Sequence, residues 1–275
     1  MSICGMLPYE TASAEVAMAG GTTARVARTS RGFAASTPFP FVLLHGAGAD
    51  GGRFDALLPH LSHAVAVDLP GHGGAGGAAR REVAAYAADV AALARREGWV
   101  RPIVVGHSMG GAIALSLALD GGLELGGLGL LATGARLRVH PDVLAALADR
   151  RLPPALAGWM FGPSAPPDMV AGEREALGAA AASGALHADM AACDAFDVTA
   201  RLGELTLPAA VVVGDADRMT PPRLSEALVA GWGRREAISL TVVAGAGHYV
   251  VRERPDAVAE ALADLLRRAR AAVGE

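Results

Sequence analysis

A serine set between two glycines is the clearest chemical feature of the chain. In Gly106-His107-Ser108-Met109-Gly110 it follows a short β-branched run and precedes small and apolar residues at helical spacing. A strand that turns at once into a helix strains its corner residue, and flanking glycines let the backbone pass close to itself. Such a corner side chain projects above the sheet, so Ser108 is a candidate nucleophile. The pattern also fits a serine that caps a helix in a glycine-rich turn.

Partners for this serine follow two later apolar runs. Asp215 and Asp217 come after the run at 209–214, and His248 comes after the run at 240–243. In open parallel sheets, ligands bind beyond the carboxyl ends of the strands. A serine hydroxyl is a weak nucleophile until a base takes its proton, and a carboxylate fixes the tautomer of a histidine base. Serine, aspartate and histidine therefore predict acyl transfer, with the N–H of Met109 placed for an oxyanion.

Strands that alternate with helices position these residues. Their short, almost wholly apolar runs predict burial on both faces, hence an α/β fold whose mostly parallel central sheet is flanked by helices. Strands are predicted at 41–44, 64–68, 103–105, 126–132, 209–214 and 240–243, with an edge strand at 22–27. Helices are predicted at 53–61, 82–97 and 224–232, the last capped by Thr220, and from Pro255 onward.

The alternation stops between about residues 135 and 200. Proline pairs interrupt helical patterns there, and the segment is longer than a crossover needs. The sequence predicts a helical lid at 135–200, between core parts at 1–134 and 201–275. Ordinary crossover helices are the alternative.

Composition narrows the classes of partner. The chain has 275 residues, 52% of them apolar, and a net charge of −4, which predicts neither nucleic acid nor a membrane surface as a partner. It shows no secretory signal, membrane span or metal-ligand spacing, and its cysteines are Cys4 and Cys193 alone. We expect a cytoplasmic protein without metal or cofactor.

The motifs in order resemble the α/β-hydrolase family, in its lid-containing serine esterase and lipase-like branch. The resemblance spans about residues 38–270 and is loose in the lid. It rests on the following stretches: His45-Gly46, Asp68-Leu69-Pro70-Gly71-His72-Gly73, Gly106-His107-Ser108-Met109-Gly110-Gly111, Gly214-x-x-Asp217 with Thr220-Pro221, and Gly247-His248 with Glu253-Arg254-Pro255. Relatives commonly carry serine shortly after Gly-His-Gly, where this chain has Gly74 and Ala75.

The resemblance implies a role for each site residue. Ser108 is the nucleophile, His248 the general base and acid, and Asp217, three residues after its glycine, the orienting acid in preference to Asp215. The oxyanion hole is formed by the N–H groups of Ala47 and Met109. The other histidines of the motifs, His45, His72 and His107, are expected to be structural.

Dehalogenases and epoxide hydrolases of this family use aspartate as the nucleophile. Because the candidate nucleophile here is serine, we do not expect their reactions first. Apolar side chains in the lid, with Trp159, Met160 and Phe161 as the proposed substrate pocket, favour a small apolar ester as substrate. Lactone, thioester or carbon–carbon bond hydrolysis on the same triad is the alternative, as is a non-catalytic small-molecule receptor of this fold.

Overall fold

A computed structural model describes residues 9–14, 24–30, 34, 36–120 and 122–274. Within them, eight strands form one sheet in the order β1-β2-β4-β3-β5-β6-β7-β8, and every pair from β4 to β8 is parallel. Strands β1 and β2 add to one edge in antiparallel fashion. The strands are β1 Tyr9–Ala14, β2 Arg25–Ser30, β3 Phe41–Leu44, β4 Ala64–Asp68, β5 Ile103–His107, β6 Gly127–Leu131, β7 Ala209–Gly214 and β8 Ile238–Val243.

Helices cover both faces of this sheet. The helices of the described residues are α1 Val83–Glu97, α2 Met109–Asp120, α3 Pro141–Ala148, α4 Leu156–Trp159, α5 Pro167–Ser183, α6 Ala185–Ala195, α7 Pro222–Gly231, α8 Val250–Glu253 and α9 Pro255–Ala271. Short 3₁₀ turns occur at Gly51–Phe54, Leu58–His60, Thr199–Glu204 and Arg235–Ala237. The predicted α/β class with a mostly parallel, helix-flanked sheet is therefore confirmed.

The central strands are buried on both faces because their alternate residues enter different cores. Val42 and Leu44 of β3 join the core that includes α1 and α2, while Phe41 and Leu43 join the core that includes α9. Parallel strands enclosed in this way are uniformly apolar, as the sequence showed. The carboxyl ends of the parallel strands thus lie side by side along one end of the sheet, where the candidate site residues lie.

Three sequence predictions need correction. The helix predicted at 53–61 is two 3₁₀ turns separated by Asp55 to Leu57. The strand predicted at 22–27 is β2, which lies inside β1 and is not the edge; residues 22 and 23 fall outside the described residues. Thr220 does not cap α7, because its hydroxyl donates to Asp217.

The segment predicted as a lid is helical in the structure, with α3 to α6 inside residues 135–200. Apart from helices it contains an isolated bridge between Arg136 and Asp197. Among the described residues, we find no helix that combines the length and the apolar character needed to cross a membrane.

Candidate active site

Ser108 occupies a strained corner between β5 and α2. Its backbone has φ +54°, a left-handed conformation that serine rarely adopts. Neighbouring groups stabilise this corner: the Ser108 N–H donates to the carbonyl of Leu131 at 2.9 Å, and its own carbonyl accepts from the Thr133 hydroxyl at 2.8 Å. Strain maintained by surrounding bonds is typical of functional positions.

Glycines around the corner are required by close backbone approach. A β-carbon at Gly106 would lie 2.0 Å from the carbonyl oxygen of Gly110, and one at Gly110 would lie 2.1 Å from the carbonyl oxygen of Leu44. Both obstacles are backbone, so no rotamer change relieves them. The spacing of the motif therefore follows from the packing of β3, β5 and α2.

This packing predicts that Gly106→Ala strongly destabilises the protein. We expect a loss of about 3 kcal/mol or more in the free energy of unfolding, because the new methyl group forces the backbone apart. Chemical denaturation measures the loss. Gly158→Ala in α4 is the matched control: its β-carbon meets open space and should leave stability equal or slightly raised. Equal stability of the two variants would contradict the packing argument.

A buried histidine and aspartate meet beside this corner. The Nδ1 atom of His248 lies 3.0 Å from Oδ2 of Asp217, and both side chains are almost completely buried. The hydroxyl of Thr220 donates to the same Oδ2 and lies 3.1 Å from His248 Nδ1. Since the carboxylate accepts, Nδ1 carries the proton in the neutral ring. The other nitrogen, Nε2, is then free to act as a base.

The carboxylate of Asp217 is held in its charged form. Burial opposes ionisation, but the charge and hydrogen bond of His248 and the N–H and hydroxyl of Thr220 outweigh it and lower the pKa of Asp217. The N–H groups of Met219 and Thr220 both donate to its Oδ1. Asp215 instead accepts from the N–H of Gly245 at 2.7 Å, at the exposed surface.

The loop after β3 approaches Ser108 closely. A β-carbon at Gly46 would lie 3.2 Å from the Ser108 β-carbon, and Gly46 and Ala47 line the same cavity as Ser108 and His248. Within the described residues, the N–H groups of Ala47 and Met109 donate to no other backbone group. Met109 is the first residue of α2, where helical N–H groups lack partners.

The cavity wall is apolar and rich in sulfur. Its sulfur-bearing side chains are Met160, Met190, Cys193 and Met219. Aliphatic side chains adjoin them, namely Leu137, Val139 and Leu224, and the cavity is also lined by Arg138, Thr220 and Tyr249. Of the three aromatic and methionine positions predicted for the pocket, Met160 lines the cavity. Phe161 packs against the Tyr249 ring at 5.3 Å and Trp159 lies beside Arg218, both away from the lining.

His107 lines the cavity next to His248 and Tyr249. Its Nε2 donates to the backbone carbonyl of His248 at 2.9 Å, and its ring stacks on Tyr249 at 5.1 Å. Burial, followed by the nearby charge of His248, lowers the pKa of His107 to about 3, so the ring is neutral. Its Nδ1 has no hydrogen-bond partner among the described residues, but a ring with so low a pKa is a weak base.

Comparison with known proteins assigns the family. The model of the alpha/beta hydrolase family matches residues 41–261. The chain belongs to the alpha/beta hydrolase family. Its mostly parallel sheet flanked by helices agrees with this membership.

Relatives of this hydrolase include esterases. It is 32% identical over 206 residues to a pimeloyl-[acyl-carrier protein] methyl ester esterase of Neisseria meningitidis, covering 68% of this chain and 78% of that protein. A thermophilic esterase from Thermogutta terrifontis, solved with malate bound, aligns with a TM-score of 0.79 and 25% identity, covering 94% of this chain and 99% of that one. These likenesses support hydrolase activity of the esterase type.

A third relative matches locally. The magnesium-chelatase 30 kDa subunit of Rhodobacter capsulatus is 43% identical over 84 residues. The match covers 29% of this chain and 30% of that protein.

Sequence reasoning missed two buried carboxylates that tie the helical segment of this hydrolase to its core. Glu173 of α5 accepts from the Tyr249 hydroxyl at 2.9 Å and from Arg53 and Arg252. Asp189 of α6 accepts from core groups in the same way. Both are separated by more than 70 residues from these partners, so no local motif signals them.

Among the described residues, no group of three or more histidine, cysteine and acidic side chains is arranged to hold a metal ion. His45 and His72 are bound to loop backbone, as the sequence predicted: Leu69 N–H donates to His45 Nε2 and His72 Nδ1 contacts the carbonyl of Pro70. Where relatives carry serine after Gly-His-Gly, the N–H of Gly74 donates to Asp68 instead.

Proposed function

We propose that this hydrolase cleaves carboxylic esters with an apolar acyl group through a covalent acyl-enzyme on Ser108. One observation carries the proposal. The strained Ser108 corner and His248 line the same cavity, and His248 is bonded on its far side to buried Asp217. The esterases among the relatives support this reaction class.

In the first half of the reaction, Ser108 attacks the ester carbonyl while Nε2 of His248 takes the hydroxyl proton. Asp217 stabilises the imidazolium that forms and holds the ring in orientation. The negative charge of the tetrahedral intermediate lies on the substrate oxygen, where the N–H groups of Ala47 and Met109 bind it. His248 then returns the proton to the departing alcohol.

In the second half, water replaces the alcohol. His248 takes a proton from water as it attacks the acyl carbon, the oxyanion forms again, and Ser108 leaves with the proton returned by His248. The products are a carboxylic acid and regenerated enzyme. No cofactor or metal enters this scheme.

The helical segment at 135–200 is proposed as the lid and as the source of acyl specificity, between core parts at 1–134 and 201–275. Met160 follows α4, and Met190 and Cys193 lie on α6, so this segment supplies much of the apolar wall. Unbranched methionine side chains adapt to ligands of different shape. A flexible or branched apolar acyl chain fits these apolar side chains, while Arg138 is the charged side chain among the described lining residues.

A graded series of p-nitrophenyl esters tests the proposal. We expect a burst of p-nitrophenol followed by steady turnover, with the highest kcat/KM at an intermediate acyl length. Matched lactones and thioesters in the same panel separate ester cleavage from the alternative reactions of this triad. A complete lack of turnover over the panel would contradict the esterase proposal and favour a receptor that binds small apolar molecules.

Enlarging one wall residue should shift the preferred acyl length. Met190→Trp fills part of the cavity, so we expect kcat/KM for long acyl esters to fall by about tenfold relative to acetate, since lost apolar contacts weaken binding by roughly 1.4 kcal/mol. The half-buried Met169 of α5 does not line the cavity, which makes Met169→Trp the matched control. Unchanged selectivity in Met190→Trp would place the acyl chain elsewhere.

A further inference from the structure

The carboxylate of Asp189 is fully buried beneath the loop that follows β3. It accepts three hydrogen bonds from separate parts of the core. The N–H of Gly48 donates to Oδ2 at 2.8 Å, His72 Nε2 lies 2.8 Å from the same oxygen, and the Tyr86 hydroxyl donates to Oδ1 at 2.6 Å. Gly48 directly follows Ala47, the proposed oxyanion donor.

Hydrogen-bond geometry determines the protonation of His72. Its Nδ1 lies 3.1 Å from the carbonyl oxygen of Pro70, and its Nε2 faces the Asp189 carboxylate. A carbonyl and a carboxylate oxygen both accept, so both ring nitrogens must carry protons. His72 is therefore an imidazolium paired with Asp189. Burial lowers the pKa of His72, but the hydrogen bond and charge of Asp189 outweigh burial, and the pKa is raised.

Neighbouring His45 has the opposite state. Its ring centroid lies 5.0 Å from that of His72, but its Nε2 accepts the N–H of Leu69 and so carries no proton. Burial, and next the charge of His72, lower the pKa of His45 to about 4. One charged and one neutral histidine thus lie side by side. The titratable and charged groups that face His72 or its ion-pair partner are His45, Asp68 with its bound Arg25, Tyr86, Asp189 and Cys193.

Helix α6 also lies close to the loop through the side chain of Leu186. Gly48 has φ +67°, and a β-carbon there would lie 2.8 Å from the side chain of Leu186. Leu186 therefore packs close to Gly48, and Asp189 of the same helix binds the Gly48 N–H. A shift of Asp189 would move the Gly48 N–H and, one peptide away, the N–H of Ala47.

We propose that the buried His72–Asp189 ion pair positions the loop from His45 to Gly48 so that the Ala47 N–H points at the oxyanion. This inference rests on the proposed function, and both residues are positioning residues, not catalytic ones. The bond to the Gly48 N–H orients the loop, and the pairing with His72 holds the Asp189 carboxylate in place.

Asp189→Asn tests the positioning role. The amide keeps the shape of the carboxylate but loses one acceptor, so it cannot serve Gly48, His72 and Tyr86 together. We expect kcat to fall by about 10- to 100-fold with KM almost unchanged, because the oxyanion contact is made in the transition state. Affinity for an alkyl boronic acid, whose adduct with serine resembles the oxyanion, should fall by a similar factor. Hydrogen exchange of the Gly48 amide should accelerate by about tenfold or more, because the loop opens locally more often without this bond.

Asp89→Asn is the matched control. Asp89 is also a buried carboxylate; it lies on α1 and pairs with the side chain of Arg80, whose backbone N–H donates to the Tyr86 hydroxyl. It should lower stability while leaving kcat, boronate affinity and Gly48 exchange unchanged. If Asp189→Asn behaves in the same way as Asp89→Asn, the positioning role is wrong.

A pH series tests the charge on His72. Because its pKa is raised on folding, the pair stabilises the protein fully below the unfolded histidine pKa and loses that effect as pH rises through the folded pKa. The stability difference between the native sequence and Asp189→Asn should therefore shrink as the pH rises above 6.5 and through the folded pKa of His72. A difference that stays constant would overturn the charged pair.

The failure of this inference differs from failure of the proposed function. Absence of Ser108-dependent ester turnover in the native protein overturns the function and, with it, the oxyanion role. Ser108-dependent turnover combined with unchanged kcat, boronate affinity or Gly48 exchange in Asp189→Asn overturns the inference alone.

Discussion

Replacing Ser108 by alanine is expected to abolish ester hydrolysis. The change removes the atom that forms the acyl-enzyme, so kcat should fall by about 10⁴- to 10⁶-fold, leaving only what the oxyanion donors and binding provide. The fold should persist, because the backbone bonds that stabilise the corner, to Leu131 and Thr133, do not use the side chain. Steady-state kinetics with a p-nitrophenyl ester and a thermal melt measure the two effects.

Ser116→Ala provides the matched control for this change. Ser116 lies in α2, two turns beyond Ser108, and is buried, but it faces α1 and not the cavity. We expect near-native kcat in this variant. A Ser108→Ala enzyme with a tenth or more of native activity would show that another group performs the attack.

The second large effect is expected at Asp217. Asp217→Asn keeps the size of the side chain but removes the charge that favours a protonated Nδ1 on His248. The ring can then present the wrong tautomer to Ser108, and kcat should fall by about 10⁴-fold. KM should change little, since Asp217 is buried behind the histidine and away from the substrate.

Asp215→Asn is a demanding control, because the two aspartates are two positions apart after the same strand. Asp215 accepts from the N–H of Gly245 at the surface, so its loss should cost little activity. The two variants should therefore differ by several orders of magnitude. Loss of activity in Asp215→Asn with retention in Asp217→Asn would reverse the assignment of the acid.

The sheet and the Ser108 corner are predictable from the sequence because their physical causes are local. Strands such as Phe41–Leu44 and Ala64–Asp68 are short apolar runs with buried faces, and Gly106 and Gly110 are required wherever a strand turns at once into a helix. The prediction for residues 53–61 is wrong because it rests on local spacing alone. The leucines there have helical spacing, but the turns are 3₁₀.

Long-range partners were not predictable in the same way. Asp189 meets His72 from 117 positions away, and Glu173 meets Arg53 from 120 positions away. Their pairing depends on how the helices of residues 135–200 pack on the core, which apolar spacing does not encode in an alanine-rich segment. The same packing decides that Met160 lines the cavity while its neighbours Trp159 and Phe161 do not.

The central claim is that Ser108 becomes covalently modified during catalysis. Incubation with diethyl p-nitrophenyl phosphate, followed by peptide mass spectrometry, tests it directly because the phosphoryl-serine adduct is stable. We expect one p-nitrophenol released per chain, one diethylphosphoryl group on Ser108, and loss of esterase activity in proportion to labelling. Labelling at a different residue, or full inactivation with Ser108 unmodified, would contradict the account.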